Sequence, residues 1–96
     1  MTFVFHPEAR LELISAIDYY EECQSGLGKN FATEILSTIE RILRYPQSGQ
    51  KLSKNSRRCL VNKFPFGIIY QINRDEIRII AVMHLNRKPK YWKNRS

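Results

Sequence analysis

The chain has 96 residues, the size of one domain, and its hydrophobic fraction of 43% is too high for a disordered protein. No apolar run approaches the roughly 18 residues that a membrane span needs, and Cys23 and Cys59 match no zinc-binding spacing. The formal net charge of +7 is unevenly distributed: residues 1–40 hold seven acids and two bases, whereas residues 41–96 hold fourteen bases and two acids. We therefore expect a single cytoplasmic domain over 1–96, with reduced cysteines and a basic end suited to a polyanion or an acidic protein.

The first half of the chain predicts a strand followed by two helices. Thr2 to His6 is short and β-prone, and Pro7 occupies the position that a helix favours for its first residue. Apolar residues at helical spacing extend this helix to about residue 24, and the glycines at 26 and 28 end it. A second apolar stripe predicts a helix from about 29 to 45. The short link between them predicts an antiparallel helical hairpin.

The second half predicts a polar, basic loop over 46–56 and three strands over 58–63, 66–72 and 77–84. Alternation along the last strand predicts two apolar faces, one with Ile77, Ile79, Ala81 and Met83 and the other with Arg78, Ile80, Val82 and His84. Such a strand is central in its sheet. The helices can cover one face, and more of this chain or a partner must cover the other. The predicted fold is a two-layer α+β sandwich in the order β-α-α-β-β-β.

The end of the last strand and the tail after it are the main candidate for a functional site, because they combine basic and aromatic residues with a histidine and no acid. Rings stack on RNA bases while cations hold phosphates. A metal-free ribonuclease needs a base, an acid and cations. His84, Tyr91 and Arg87 could supply them, with Arg58 on a neighbouring strand. The alternatives are that His84 is structural and that Tyr91 and Trp92 pack the tail onto the sheet.

Other segments predict no separate chemistry. The pair Arg57-Arg58 could bind phosphate or acidic side chains, or could be edge-strand charges that prevent aggregation. The acids of the first helix look like a solvated face. There is no Gly-rich phosphate loop, metal-ligand quartet or nucleophile elbow in the sequence. We therefore predict no metal and no cofactor.

Several segments together resemble the RelE/ParE superfamily of type II toxins, over nearly the whole chain. They are Pro7-Glu8-Ala9, Asp18-Tyr19-Tyr20-Glu21, Gly26-Leu27-Gly28 followed by Phe31, Arg57-Arg58 before Phe64-Pro65-Phe66, Ile69-Tyr70, and the ending from Ala81 to Trp92. The resemblance implies a helical hairpin packed on one face of a small, mainly antiparallel four-stranded sheet. It also implies a growth-inhibiting toxin that is neutralised by a cognate antitoxin with an acidic, partly disordered tail.

The superfamily divides by target, because ParE-like members inhibit DNA gyrase and RelE-like members cut messenger RNA on the ribosome. When the chain is aligned on Ile69-Tyr70-Gln71, a catalytic arginine of the RelE-like group falls at Gly67 and a lysine falls at Leu60, while Arg87 keeps its position. The long helices and the glycine hinge are more similar to ParE. The resemblance therefore implies a gyrase inhibitor, with a RelE-like ribosome-dependent mRNA endonuclease as the alternative.

A third possibility is a nucleic-acid-binding domain without toxicity. For the toxin, the residues implied in antitoxin or target binding are Arg57, Arg58, Arg78, Ile80, Val82, Arg87, Lys88, Lys90, Tyr91 and Trp92.

Overall fold

The computed structural model describes residues 1–95 and places two helices on one face of a mixed sheet. In chain order the elements are β1 Thr2–Phe5, α1 Pro7–Cys23, α2 Leu27–Arg44, β2 Gln50–Lys51, β3 Arg57–Leu60, β4 Phe66–Asn73 and β5 Glu76–His84. The strand order is β1-β5-β4-β3-β2, in which β1 runs parallel to β5 and the other pairs are antiparallel. The predicted α+β fold and helical hairpin are confirmed, but the described sheet has five strands and not four.

The unpredicted strand is β2, which lies inside the predicted loop 46–56. It has only two residues and no apolar alternation, so nothing local distinguishes it from a loop. Distant side chains hold the segment before it in place. The Tyr70 hydroxyl donates to the Pro46 carbonyl at 2.6 Å and accepts from the Gly49 N–H at 3.2 Å. Arg57 donates to the Gly49 carbonyl at 2.9 Å. These contacts are tertiary, and the sequence pattern does not report them.

The hairpin turn is built by glycine and one carboxylate. Gly26 has a φ of +87°, which glycine adopts at little cost. The Glu21 carboxylate accepts hydrogen bonds from Gly26 N at 3.0 Å and Gly28 N at 3.1 Å, and so caps the N-terminus of α2. This cap lets α2 begin two residues earlier than predicted. Gly28 also permits close helix packing, because an added Cβ would lie 2.6 Å from the Ile17 carbonyl oxygen.

The main core lies between the helices and the sheet. It is built largely from apolar side chains of α2, β4 and β5, namely Phe31, Ile35, Ile39, Ile42, Ile68, Tyr70, Ile77, Ile79 and Val82. Aromatic rings close the end of this core near the hairpin turn, where Phe31 packs 5.1 Å from Tyr20 and 4.9 Å from Phe66. The buried stripe of α2 accounts for its strong amphipathic pattern.

A β-bulge in β5 changes the predicted faces of that strand. Tyr70 pairs with Ile79, but the preceding residue of β4 pairs with Ala81, which leaves Ile80 as an extra residue. An extra residue reverses the alternation that follows it. Val82 therefore lies on the helix side, in the main core, and Ala81 shares the opposite face with Ile80. The predicted division of the strand into two faces is wrong beyond Ile80.

The C-terminal tail covers the face of the sheet that the helices leave open. Trp92 is only 8% exposed and forms a second core with Ile69, Ile80, Ala81 and Met83, against which Leu52 and Tyr91 also pack. The interpretation that Tyr91 and Trp92 pack the tail onto the sheet is confirmed. The sequence analysis expected either more of this chain or a partner to cover the second face, and the structure shows that the chain's own tail covers it.

Candidate functional site

Two concave sites flank β5, one on each side of the sheet. The first, which we call the helix-side groove, has a volume of about 660 Å³ and lies between α1 and the end of β5. Its polar lining is Glu8, Glu12, Ser15, Tyr19, Tyr20, His84, Arg87 and Arg95. The second, which we call the tail-side pocket, has a volume of about 410 Å³ and lies beneath the C-terminal tail. Its lining includes Arg58, Gln71, Lys90, Trp92 and Lys93.

The structure divides the four residues predicted for RNA cleavage between these two sites. His84 and Arg87 line the helix-side groove, and the side chain of Tyr91 lies beneath the Arg87 guanidinium, 3.8 Å from ring centroid to Cζ. Arg58 lies across the sheet in the tail-side pocket. His84 has structural contacts, because its ring packs on Phe66 at 5.2 Å and its Nδ1 accepts from a backbone N–H in the following turn at 3.0 Å.

The residue at the centre of the helix-side groove is Glu12, which the sequence analysis placed among solvated acids. Its side chain is 13% exposed. One carboxylate oxygen accepts from Val82 N at 3.0 Å and pairs with Arg95 Nη1 at 3.0 Å, and the other pairs with Arg87 Nη1 at 3.1 Å. We call the contacts of Glu12 with Arg87 and Arg95 the tail clamp, because they fasten the C-terminal tail to α1. The prediction of a solvated face of α1 is therefore wrong for Glu12.

Tyr91 lies inside the tail clamp. Both arginines contact its ring, with Arg87 Cζ 3.8 Å and Arg95 Cζ 5.0 Å from the ring centroid. Burial raises the pKa of Tyr91, and the neighbouring Glu12 carboxylate raises it further. The Tyr91 hydroxyl is buried close to the Glu12 carboxylate. A raised pKa makes this phenol a weaker proton donor than an ordinary tyrosine, so Tyr91 is a poor candidate for a general acid at neutral pH.

Arg95 is the most buried cation of the tail clamp, with a side chain 15% exposed. Burial by itself lowers the pKa of Arg95, but the hydrogen bond and charge of Glu12 outweigh it and raise the pKa overall. Both arginines of the clamp are already paired with Glu12. The Glu12 carboxylate offsets one of the two positive charges that Arg87 and Arg95 bring to the helix side.

The residues predicted to bind the antitoxin or target have different exposures. Three are buried, namely Ile80, Val82 and Trp92. Four are partly buried, namely Arg57, Arg58, Arg78 and Tyr91, and three are exposed, namely Arg87, Lys88 and Lys90. Arg57 supports the loop before β2 through its hydrogen bond to Gly49. The accessible members of the set therefore lie mainly on the tail.

Within residues 1–95, no cluster of three or more His, Cys, Asp or Glu side chains could hold a metal ion. Neither α1 nor α2, which are the helices of that range, is long and apolar enough to cross a membrane. Cys23 and Cys59 are both free thiols.

Known proteins resemble the chain in family and in fold. Residues 3–89 match the family described as ParE toxin of type II toxin–antitoxin system, parDE. A chain of a solved structure described as a chromosomal ParDE TA system from P. aeruginosa matches with a TM-score of 0.75 and 15% sequence identity. That match covers 90% of this chain and 97% of the other. At this identity the likeness is one of fold. No curated protein matches the sequence.

Proposed function

Because the chain belongs to the ParE toxin family of type II toxin–antitoxin systems, we propose that it stops growth by binding DNA gyrase in the cytoplasm. In this proposal the toxin acts as an inhibitor and carries out no RNA cleavage. A cognate antitoxin is its partner, and we propose that an acidic, partly disordered antitoxin segment neutralises it.

The placement of the candidate catalytic residues is the observation that supports inhibition by binding, because Arg58 lies apart from the other three and Arg87 and Tyr91 belong to the tail clamp. RNA cleavage needs a base, an acid and a cation at the same phosphodiester. His84 lines the helix-side groove and Arg58 lines the tail-side pocket, on opposite faces of the sheet. The remaining cation, Arg87, is paired with Glu12 at 3.1 Å. An inhibitor that works by surface contact requires no such convergence.

The proposed contact surface is the tail and the cations next to it. Arg58, Lys88 and Lys90 are at least partly accessible, and they give this side of the molecule a positive field that attracts an acidic partner. The buried members of the predicted set, Ile80 and Trp92, would contribute indirectly by holding the tail on the sheet. Surface recognition of this kind spreads its energy over several residues, and a few of them dominate.

The first experiment separates the two targets. The toxin is induced without its antitoxin, and pulse-labelling measures DNA and protein synthesis in the first minutes. We expect DNA synthesis to fail first, and purified toxin to inhibit supercoiling by purified gyrase. If protein synthesis fails first and messenger RNA is cut at ribosomes, the gyrase proposal is wrong and the RelE-like alternative is favoured.

Variants add an independent test of inhibition without catalysis. The His84→Gln variant should remain toxic, because no catalytic proton transfer is assigned to His84 in this proposal. The double variant Lys88→Gln with Lys90→Gln should lose part of its toxicity, since both side chains are exposed on the tail. Arg10→Gln, an exposed cation on α1, is the control for a lost surface charge. Complete loss of activity in His84→Gln, with the fold intact, would contradict the proposal.

A further inference from the structure

Two buried hydrogen-bond donors in the tail-side pocket lack partners. The Trp92 indole Nε1 and the Arg58 Nε are both inaccessible to solvent, and neither has a hydrogen-bond partner within residues 1–95. Both side chains line the same pocket. Buried polar groups are nearly always hydrogen-bonded, and an unsatisfied one is costly. The two donors lie in the wall of one pocket without an acceptor among residues 1–95, so a small shift of the side chains that cover them would let an acceptor from another chain satisfy both.

The Arg58 side chain is held within the chain along its stem and by one hydrogen bond of its guanidinium. Its Nη2 donates to the Gln50 side-chain oxygen at 2.7 Å. Its Cγ and Cδ pack over Gly67, where an added Cβ would come within 3.1 Å of both. This glycine, on the neighbouring strand β4, gives the arginine stem room to lie flat on the sheet. A donor held in this way loses little conformational entropy on binding.

The charge of the tail-side pocket selects an anion. Lys90 and Lys93 line it together with Arg58, and its lining contains no Asp or Glu. None of these three cations forms a salt bridge within the described chain. The helix-side groove is different, because Glu12 pairs with both of its arginines and Glu8 also lines it. The tail-side pocket therefore has uncompensated positive charge next to two unpaired N–H groups.

The walls of the pocket distinguish between kinds of anion. Leu52, Met83 and Pro89 supply apolar surface beside the donors. The ring of Trp92 is buried against the sheet and has no free face on which a nucleic-acid base could stack. A carboxylate flanked by apolar side chains matches both the donors and the walls, whereas a phosphate of a nucleic acid matches only the donors.

We propose that the tail-side pocket binds a carboxylate side chain of the antitoxin, carried on a peptide segment with apolar neighbours. Lys90, Lys93 and the Arg58 guanidinium attract the carboxylate, and a small shift of the side chains that cover them lets the Trp92 indole N–H and the Arg58 Nε–H donate to its oxygens. The proposal depends on the toxin–antitoxin function for the source of the peptide. The chemistry of the pocket does not depend on gyrase as the target.

The test uses the fluorescence of Trp92, which is the only tryptophan of the chain and lies in the pocket. The full chain is titrated with the capped tripeptide Leu-Glu-Leu and, separately, with capped Leu-Gln-Leu. We expect a saturable change in emission with the Glu peptide, and an affinity about tenfold lower for the Gln peptide, because a charge-assisted hydrogen bond is lost. Inorganic phosphate is the third ligand, and it should bind more weakly than the Glu peptide.

Variants assign the binding to the pocket. Arg58→Gln should remove the preference for Glu over Gln, whereas Arg10→Gln has the same change in charge on α1 and should keep it. Circular dichroism verifies that each variant is folded. Because Arg58 is partly buried and its substitution could affect folding, Lys93→Gln serves as a second variant, on the exposed tail. We expect Lys93→Gln to lower the affinity for the Glu peptide about two- to threefold.

Three results would overturn the proposal: equal binding of both peptides, the absence of any saturable change in emission, and tighter binding of phosphate than of the Glu peptide. The last result would indicate a nucleic-acid phosphate as the ligand. None of the three depends on a gyrase assay, so a failure of this proposal is distinguishable from a failure of the proposed function.

Discussion

The tail clamp gives the sharpest test of what holds this small fold together. The substitution Glu12→Gln keeps the size and shape of the side chain but removes its charge. In the structure the Glu12 carboxylate accepts one backbone hydrogen bond, from Val82 N, and forms salt bridges with Arg95 and Arg87. The amide would place an NH₂ group, a donor, where the carboxylate accepts from a cation. We therefore expect the tail to lose its attachment to α1.

The size of the effect follows from the burial of the two arginines. Arg95 and Glu12 have side chains 15% and 13% exposed, and leaving one member of such a buried pair uncompensated costs about 3–5 kcal/mol. Arg87 is 52% exposed, so its pair adds less than about 1 kcal/mol. In a domain of this size each kcal/mol lowers the melting temperature by roughly 4–8 °C, so the variant should melt at least about 12 °C lower.

The assay is thermal unfolding at neutral pH, followed by circular dichroism, together with a urea titration. Glu22→Gln is the matched control, because Glu22 is an exposed acid of the same helix. It should change the free energy of unfolding by less than about 0.5 kcal/mol. An unchanged melting temperature in Glu12→Gln would refute the reasoning, since it would mean that the clamp contributes nothing net to stability.

Three further predictions concern the core and the turns. Gly28→Ala should lower the free energy of unfolding by about 1–3 kcal/mol in urea, because its Cβ would meet the Ile17 carbonyl; an unaffected variant would mean that the helices separate easily. Tyr70→Phe should cost about 1–3 kcal/mol in the same assay, because the loop carbonyl of Pro46 loses its donor; a neutral result would assign no stability to that bond. Burial raises the pKa of Tyr70 and Tyr91 above 10.0. Their stabilising contribution is therefore complete below pH 10 and is lost as the pH rises through the folded values, so the urea midpoint should fall above pH 10, and a flat profile there would contradict this.

The fold could be predicted where the pattern is local. Pro7 marked the start of α1, and His6 caps that helix by accepting from Glu8 N at 3.1 Å. The apolar stripe of α2 and the apolar runs of β4 and β5 each follow the period of their element. The short strand β2 could not be predicted, because its position depends on Tyr70, which lies in a different strand.

The candidate site was less predictable because its contacts join distant parts of the chain. Glu12 accepts from Val82 and Arg87, which lie 70 and 75 positions later, and nothing near it distinguishes it from the other acids of α1. The bulge at Ile80 also lacks a signal, because β5 is apolar on both faces and either alternation fits the sequence. One bulged residue was enough to move Val82 across the sheet.

The two sides of the tail appear as one basic cluster in sequence but have opposite electrostatic roles in the structure. On the helix side, Arg87 and Arg95 are paired with Glu12 and fix the tail. On the other side, Lys93 and Arg58 carry unpaired charge beside Trp92. Glu12→Gln makes the chain more positive, so charge alone predicts tighter binding of the capped Leu-Glu-Leu peptide. If the tail clamp positions Trp92 and Lys93, the same variant should bind that peptide more weakly, and tighter binding would show that the pocket forms without the clamp.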